Sequence, residues 1–165
     1  MKDFNLMITL VTASLFFCCS TPTQKTAVES PVVQTRNDLP NMTVTSLDET
    51  QINLRTLKEK AIIILFQPDC DHCQREAKEI RENLDAFKNY SLYFISADQF
   101  DAVKRFGEDY DLIAKPNVHF ALTSVDNVLK NFGAIPAPSV YIYADQKLIK
   151  KFNGEVSIGR ILQAI

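Results

Sequence analysis

Apolar and polar residues after position 38 alternate in two distinct ways. Short runs such as residues 61–66, which contain three consecutive isoleucines, are typical of strands buried on both faces. Elsewhere apolar residues recur every three or four positions, as Ala77, Ile80 and Leu84 do, which is typical of a helix with one buried face. Strands are predicted at residues 42–47, 51–54, 61–66, 91–96, 118–122, 140–143 and 148–152, and helices at about residues 70–87, 101–110, 125–132 and 158–165. Strands that alternate with helices and close with a hairpin and a helix predict an α/β fold, with a mixed sheet covered on both sides.

The first 19 residues have the pattern of an export signal. Residues 6–17 are mostly apolar, and a run of about a dozen residues is too short to span a bilayer, which takes roughly 20. The run ends at Cys18-Cys19-Ser20 and is similar to a bacterial lipoprotein signal, in which a cysteine after a small residue carries the lipid. Cys19 fits that pattern better than Cys18, which follows a phenylalanine. We therefore predict residues 1–19 as a signal peptide with a lipid anchor at Cys19; a plain secretory signal is the alternative.

The segment at residues 20–37 is rich in Thr, Ser, Pro and Gln and has few large apolar side chains. It cannot bury enough surface to offset its chain entropy, so we predict a flexible tether. Residues 38–165 are enough for one domain with its own core. We expect this domain to be monomeric, tethered to a membrane by its lipid, and exposed to the periplasm of the bacterial cell envelope.

The charge balance excludes one large class of function. The chain has a net charge of -2, and no run of basic residues stands out. A nucleic-acid-binding domain normally carries a basic stripe, so we predict no nucleic-acid partner. The four cysteines are more informative, because they fall into two groups: Cys18 with Cys19, and Cys70 with Cys73.

Cys70 and Cys73 form a Cys-x-x-Cys motif between the buried strand at 61–66 and the following helix. Free N–H groups and the helix dipole stabilise a thiolate at a helix N-terminus, and two intervening residues let the second sulfur reach the first. We therefore predict a redox-active disulfide. A protonated His72 would favour the Cys70 thiolate, whereas Asp71 would oppose it, and the sequence leaves that balance open.

Other uses of these cysteines remain open. A structural disulfide would suit an exported protein, although such staples rarely span two residues at a strand–helix junction. A metal site is another alternative, since Cys70, His72, Cys73 and His119 are all ligand types. A structural zinc site usually needs a second ligand pair, which the sequence lacks, so we predict no metal and no cofactor. A copper-binding envelope chaperone, or a binding module without enzymatic activity, stays as the alternative function.

Two segments resemble the TlpA/ResA branch of the thioredoxin superfamily. Residues 39–80 are similar to its short hairpin, buried strand, Cys-x-x-Cys motif and helix. Residues 131–143, Asn-Phe-Gly-Ala-Ile-Pro-Ala-Pro-Ser-Val-Tyr-Ile-Tyr, are similar to its Tyr-Gly-Val-x-x-x-Pro-Thr-x-x-x-Ile segment. The resemblance covers nearly all of residues 38–165 and implies a thioredoxin-like fold with an N-terminal β-hairpin extension. It also places Pro138 at the family's cis-proline, which would turn the Ala137 backbone toward the sulfurs.

The resemblance implies a mechanism and bears on its direction. Cys70 would attack a partner disulfide, and Cys73 would resolve the mixed disulfide and leave the partner reduced. Family likeness favours this reducing direction, whereas His72 before the second cysteine resembles the oxidising DsbA arrangement, so the direction stays open. The implied partners are proteins with thiols or disulfides in the cell envelope. Asp69 and Lys78 depart from the family pattern on the surface that would meet those partners.

A glutamate three residues beyond the second cysteine is a further feature of TlpA/ResA-like proteins, and Glu76 occupies that position. Its side chain is predicted beside the buried stripe of the helix, where burial would raise its pKa and let it move the Cys73 proton. The alternative is a solvated glutamate paired with Lys78 or Arg75.

Peroxiredoxins share this fold, and the residues before Cys70 distinguish them from this chain. Their sequences resemble the pattern Pro-x-x-x-Thr-x-x-Cys around the peroxidatic cysteine. In this chain Ile63 stands at the proline position and Gln67 at the threonine position. Because the hydroxyl that activates the peroxide is missing, we predict that the protein is not a peroxidase.

Overall fold

A mixed seven-stranded sheet with helices on both faces organises residues 36–165, which are the residues that the computed structural model describes. The strands are β1 (Thr43–Ser46), β2 (Gln51–Asn53), β3 (Ala61–Leu65), β4 (Ser91–Ser96), β5 (Val118–Leu122), β6 (Ser139–Ala144) and β7 (Lys147–Asn153). The helices in this range are α1 (Asp71–Glu82), α2 (Phe100–Asp109), α3 (Val125–Phe132) and α4 (Ile158–Leu162). The predicted thioredoxin-like α/β fold, with the β1-β2 hairpin as its N-terminal extension, is confirmed.

Strand pairing brings three distant parts of the chain to one edge of the sheet. The strand order is β2-β1-β5-β4-β3-β6-β7, with β3 parallel to β4 and antiparallel to β6. Leu65, at the carboxyl end of β3, pairs with Ser139 at the start of β6, and Ser139 pairs with Asn153 at the end of β7. The segments that follow β3, precede β6 and follow β7 therefore meet, and each carries part of the candidate site.

Side chains of β3 alternate between two cores, because successive residues of a strand face opposite sides of a sheet. Ile62 and Ile64 pack with α1, α2 and α4, whereas Ile63 and Leu65 pack on the face that carries α3 and the N-terminal hairpin. All five residues of β3 are buried. The prediction of a strand covered on both faces is therefore confirmed.

The helix that carries the motif is shorter than its apolar spacing predicts. α1 ends at Glu82, and Leu84–Phe87 form a 3-10 turn whose apolar side chains still pack into the core. The side-chain amide of Asn83 donates to the carbonyl of Glu79 at 2.8 Å, and local bonds of this kind compete with helix continuation. The spacing thus predicts the burial correctly and the helical conformation wrongly. α4 also stops early, at Leu162.

The predicted boundaries of α3 are confirmed, and part of its apolar face is exposed. The Ser124 hydroxyl accepts a hydrogen bond from the Asn127 N–H at 3.2 Å, and Gly133, with φ of 81°, ends the helix. Val125 is nevertheless 60% exposed and Leu129 is 50% exposed. These two side chains lie beside a groove that adjoins the candidate site.

The N-terminal end of the described chain lies at the edge of the sheet opposite the motif. The backbone N–H of Asp38 donates to the Gln146 carbonyl at 2.8 Å, in the turn between β6 and β7. This turn is at the end of β6 remote from Ser139, and therefore remote from the end of β3 that leads to Cys70.

The predicted signal segment, with Cys18 and Cys19, and the predicted tether as far as residue 35 lie outside the described residues. Along residues 36–165, none of the helices has the length and apolar character needed to cross a membrane.

Candidate redox site

The Cys-x-x-Cys motif lies at the start of α1, directly after the loop that leaves β3. Cys70 is the N-cap residue, and its carbonyl accepts a hydrogen bond from the Gln74 N–H at 3.0 Å. Its side chain makes no capping hydrogen bond, so the first-turn amides stay available to a thiolate. The predicted placement of Cys70 at the helix start is confirmed. Asp71 and His72 follow as exposed residues of the first turn.

The two cysteines are free thiols with different environments. Cys70 is partly exposed, whereas Cys73 is 2% exposed. Burial raises the pKa of the Cys73 thiol to about 12, and a hydrogen bond with Cys70 adds to this effect. An accessible sulfur at a helix N-terminus suits the attacking role, and a buried sulfur with a high pKa suits the resolving role.

Glu76 lies inside the protein beneath the motif. It is 2% exposed, and neither of its carboxyl oxygens has a hydrogen-bond partner among the described residues. Burial raises its pKa to about 8; the backbone N–H of Val156 opposes this rise, and the negative charges of Glu155 and Glu79 add to it. The predicted burial is confirmed, and the pKa moves in the direction that burial predicts. The alternative of a solvated Glu76 paired with Arg75 or Lys78 is wrong, because Glu76 is buried and its carboxyl oxygens pair with neither side chain. Arg75 pairs with Glu155 instead.

Glu79, the next glutamate of α1, has a structural contact. Its carboxylate accepts a hydrogen bond from the Ile158 N–H at 3.0 Å and so joins α1 to the first turn of α4. Glu79 thus differs from Glu76, whose carboxyl oxygens have no hydrogen-bond partner within residues 36–165.

The segment before β6 brings a backbone carbonyl to the first cysteine. The Ala137–Pro138 peptide bond is cis, as predicted. The Cys70 thiol donates to the Ala137 carbonyl oxygen at 3.6 Å, and the Ser139 hydroxyl donates to the Pro136 carbonyl at 2.7 Å. The pairing of Ser139 with Leu65 explains why a proline so distant in sequence lies beside the motif.

A charged cluster of His72, Arg75 and Glu155 flanks the motif on its exposed side. Arg75 Nε donates to Glu155 Oε1 at 2.7 Å and Arg75 Nη2 donates to Oε2 at 2.8 Å, while His72 Nδ1 also contacts Oε2. The guanidinium, and to a lesser degree the imidazole, lower the pKa of Glu155 to about 2. Sequence reasoning missed Glu155, because no motif surrounds it. Only the pairing of Asn153 with the start of β6 brings it here.

His119 does not join the cysteines. Its ring stacks on Tyr93 with centroids 4.8 Å apart, on the face of the sheet opposite Cys73. Across residues 36–165, no three His, Cys, Asp or Glu side chains are grouped so that they could hold a metal ion. The metal-site alternative thus lacks the donor set it would need in this part of the chain.

An apolar groove of about 640 Å³ adjoins the motif. It runs between the carboxyl ends of β3 and β4, the exposed side of α3 and the segment before Pro138, and its lining includes Leu65, Ile95, Val125, Leu129, Ile135 and Ala137. Ala137 is shared between the groove and the Cys70 contact, so the groove is continuous with the redox site.

The residues of the peroxidatic pattern are absent from the expected places. Ile63 is fully buried within β3, and Gln67 is an exposed residue whose carbonyl accepts the Cys70 N–H at 3.2 Å. Neither side chain offers a hydroxyl to activate a peroxide at Cys70.

Comparisons with known proteins agree with this geometry. Residues 35–152 match the AhpC/TSA family. The thiol-disulfide oxidoreductase ResA of Bacillus thuringiensis subsp. konkukian (strain 97-27) is 30% identical over 123 residues, which are 72% of this chain and 69% of that protein.

Solved structures share the fold at lower identity. A secreted disulfide oxidoreductase of Mycobacterium tuberculosis, homologous to E. coli DsbE, has a TM-score of 0.64 at 16% identity and covers 75% of this chain and 93% of its own. Arabidopsis thaliana ScoI with copper bound has a TM-score of 0.59 at 11% identity and covers 74% of this chain and 91% of its own. Likeness at these identities shows the fold alone. With the family match and the ResA likeness added to it, the chain belongs to the AhpC/TSA family of thioredoxin-like proteins and is a thiol–disulfide oxidoreductase.

Proposed function

We propose that this enzyme reduces disulfides in proteins of the bacterial cell envelope. The observation that carries the proposal is the order of three groups along the start of α1: a partly exposed thiol at the N-cap residue Cys70, a buried thiol at Cys73, and the buried carboxyl group of Glu76. Each group has the environment that its step requires.

The reaction begins when the Cys70 thiolate attacks one sulfur of a partner disulfide. A bond forms between Cys70 and that sulfur, and the other partner sulfur leaves as a thiolate. The Cys73 thiol then loses its proton and attacks Cys70. The Cys70–Cys73 disulfide forms, and the second partner sulfur is released as a thiolate. Two electrons pass to the partner, and a dithiol donor must later return the pair to its reduced state.

Glu76 would take the proton that Cys73 loses. A buried thiol with a pKa of about 12 ionises rarely by itself, so a base within the protein is needed. A carboxyl group with a pKa of about 8 can both accept and return a proton near neutral pH. In the described part of the chain, neither carboxyl oxygen of Glu76 is held by a hydrogen bond, so either oxygen could accept the proton.

The groove supports a polypeptide as the partner. Its apolar lining and its continuity with Ala137 would let an extended segment lie across α3 while its disulfide reaches Cys70. A small disulfide would need only the contact at the sulfur, so the groove would contribute nothing to its reaction.

Anchoring through Cys19 at the membrane fits the position of Asp38. Because Asp38 lies at the edge of the sheet opposite Cys70, a tether that leaves there would present the redox site away from the membrane. The 18 residues of the predicted tether, 20–37, would reach at most about 60 Å when fully extended.

The test is reduction of insulin by the full-length chain with dithiothreitol as electron donor. We expect turnover by the parent protein and loss of turnover in Cys70→Ser. When pre-reduced Cys73→Ser is mixed with insulin without dithiothreitol, a mixed disulfide should accumulate, because Cys70 then has no resolving partner. Glu82→Gln, an exposed change at the end of α1, serves as the control. Equal turnover in both cysteine variants and the parent would refute the proposal. Stoichiometric copper binding without insulin reduction would favour the copper-carrier alternative.

A further inference from the structure

Glu155 is brought to the redox site by the turn that follows β7. Gly154 adopts φ of 88°, a conformation that glycine tolerates best, and its N–H donates to the Pro138 carbonyl at 2.9 Å. This bond ties the segment after β7 to the proline beside Cys70. The next residue, Glu155, therefore faces the exposed side of α1.

The contacts of Glu155 close a three-residue cluster. Arg75 holds the carboxylate with two hydrogen bonds, at 2.7 and 2.8 Å, in a planar fork that is stronger and more directional than a single contact. His72 Nδ1 contacts the same carboxylate and lies 2.6 Å from Arg75 Nη2. The Glu155 side chain is only 33% exposed although its neighbours in the cluster are more open.

Both partners of Glu155 carry, or can carry, positive charge next to Cys70. Arg75 remains charged at all relevant pH values, and His72 lies two residues after the cysteine. The causes that raise the pKa of Arg75 include the Glu155 hydrogen bond first and, more weakly, the charge of Cys70. A cation close to a reactive thiolate stabilises it, and stabilising the thiolate makes the disulfide a stronger oxidant.

We propose that Glu155 is a positioning residue that holds Arg75 and His72 in a charge-balanced cluster and thereby keeps the Cys70–Cys73 pair reducing. This inference rests on the proposed function, because the potential of the pair matters only where it exchanges disulfides. It also accounts for the histidine of the motif: the carboxylate offsets the positive charge that would otherwise favour an oxidant.

A purely structural bridge would behave differently from a charge balance. Removing either end of a structural bridge breaks the same contact, so Glu155→Gln and Arg75→Met would change any property in the same direction. Removing an anion and removing a cation have opposite effects on a nearby thiolate. The two variants should therefore move the reduction potential in opposite directions, and the double variant should lie close to the parent.

The experiment equilibrates the full-length chain in dithiothreitol redox buffers and quenches it with isotope-coded alkylating reagents. Mass spectrometry of the peptide that contains Cys70 and Cys73 gives the equilibrium constant without interference from other cysteines. For Glu155→Gln we expect a shift of about three- to tenfold toward the reduced protein, which corresponds to about 14 to 30 mV for a two-electron couple. Asp145→Asn, which removes an exposed negative charge at the opposite edge of the sheet, should leave the constant unchanged.

A second series in a His72→Gln background tests the guanidinium alone, because that substitution removes the imidazole from the cluster. The inference is overturned if the equilibrium constant of Glu155→Gln stays within twofold of that of its background in both series. It is also overturned if this constant shifts in the same direction as that of Arg75→Met. If the parent reduces insulin but the variants have the same reduction potential as the parent, the inference is contradicted and the proposed function is left intact. A parent with a measurable potential but no insulin turnover contradicts the proposed function instead.

Discussion

The carboxyl group of Glu76 lies three residues beyond the Cys73 thiol on the same side of α1, and both side chains are 2% exposed. Burial is the first cause of the raised pKa of each group, and the charge of Glu76 contributes to that of Cys73. Two acidic groups in one buried place cannot both ionise readily, so a negative charge on either group opposes ionisation of the other. This arrangement predicts how each group responds when the other is changed.

Glu76→Gln should slow the reduction of insulin by about tenfold to a hundredfold, because the resolving thiol loses its proton acceptor. The rate of the parent should rise as pH increases toward 8, where the carboxyl group ionises, and this rise should be missing in the variant. Stopped-flow measurement of mixed-disulfide resolution between pH 6 and 9 distinguishes resolution from the first attack. Glu82→Gln is the matched control on the exposed side of the helix. An unchanged rate–pH profile in Glu76→Gln would leave solvent as the acceptor.

The same residue should make the folded state less stable as pH rises. The pKa of Glu76 is raised from 4.5 to about 8 in the folded protein, so the folded state keeps a proton that the unfolded state loses. The associated stability is fully present below about pH 4.5 and is lost as pH rises through 8, by up to about 5 kcal/mol. Glu76→Gln cannot ionise and should escape this loss.

Urea unfolding of the reduced protein at pH 5 and pH 8.5 provides the measurement. The free energy of unfolding of the parent should fall more between these pH values than that of Glu76→Gln, and the variant should be the more stable protein at pH 8.5. Parallel behaviour of the two proteins would mean that Glu76 is not buried as a neutral acid.

Local patterns in the sequence predict most of the fold. The run of isoleucines in β3 has no polar interruption, and a strand of that kind must be covered on both faces, as it is. The same run, followed by Cys70 and a helical spacing, locates the start of α1. The exposed face of α3 was not predictable, because spacing shows that Val125 and Leu129 share a side but not that the sheet leaves that side open.

The residues of the candidate site also differ in whether the sequence predicts their positions. Cys70, Cys73 and Glu76 lie within seven residues of one another on one helix, so their relation follows from helical geometry. Pro138 was found through family likeness. Glu155 has neither a local pattern nor a motif, and its place depends on long-range strand pairing that periodicity does not contain.

The lipid anchor is tested by changing the two N-terminal cysteines separately. Cys19→Ala should abolish labelling by radioactive palmitate and release the protein from the membrane fraction, whereas Cys18→Ala should leave both unchanged. The reason is that the lipid-bearing cysteine follows a small residue, and Cys19 meets that condition while Cys18 follows Phe17. Labelling that persists in Cys19→Ala and disappears in Cys18→Ala would move the anchor to Cys18.

The groove beside Cys70 should contribute to the reduction of protein disulfides and not of small ones. Leu129 is 50% exposed on the groove side of α3, so Leu129→Asp adds a charge there without opening the core. An apolar side chain partly covered by a bound segment contributes about 1 to 2 kcal/mol, so kcat/KM for insulin should fall by about five- to thirtyfold. The rate with 2-hydroxyethyl disulfide should stay the same, because that molecule is too small to contact α3 while it reacts at Cys70.

Ile149→Asp, an equivalent change at a 53% exposed position on β7 outside the groove, should affect neither substrate. Equal losses with both substrates in Leu129→Asp would instead indicate a disturbed redox site, and no loss with either would remove the groove from partner binding.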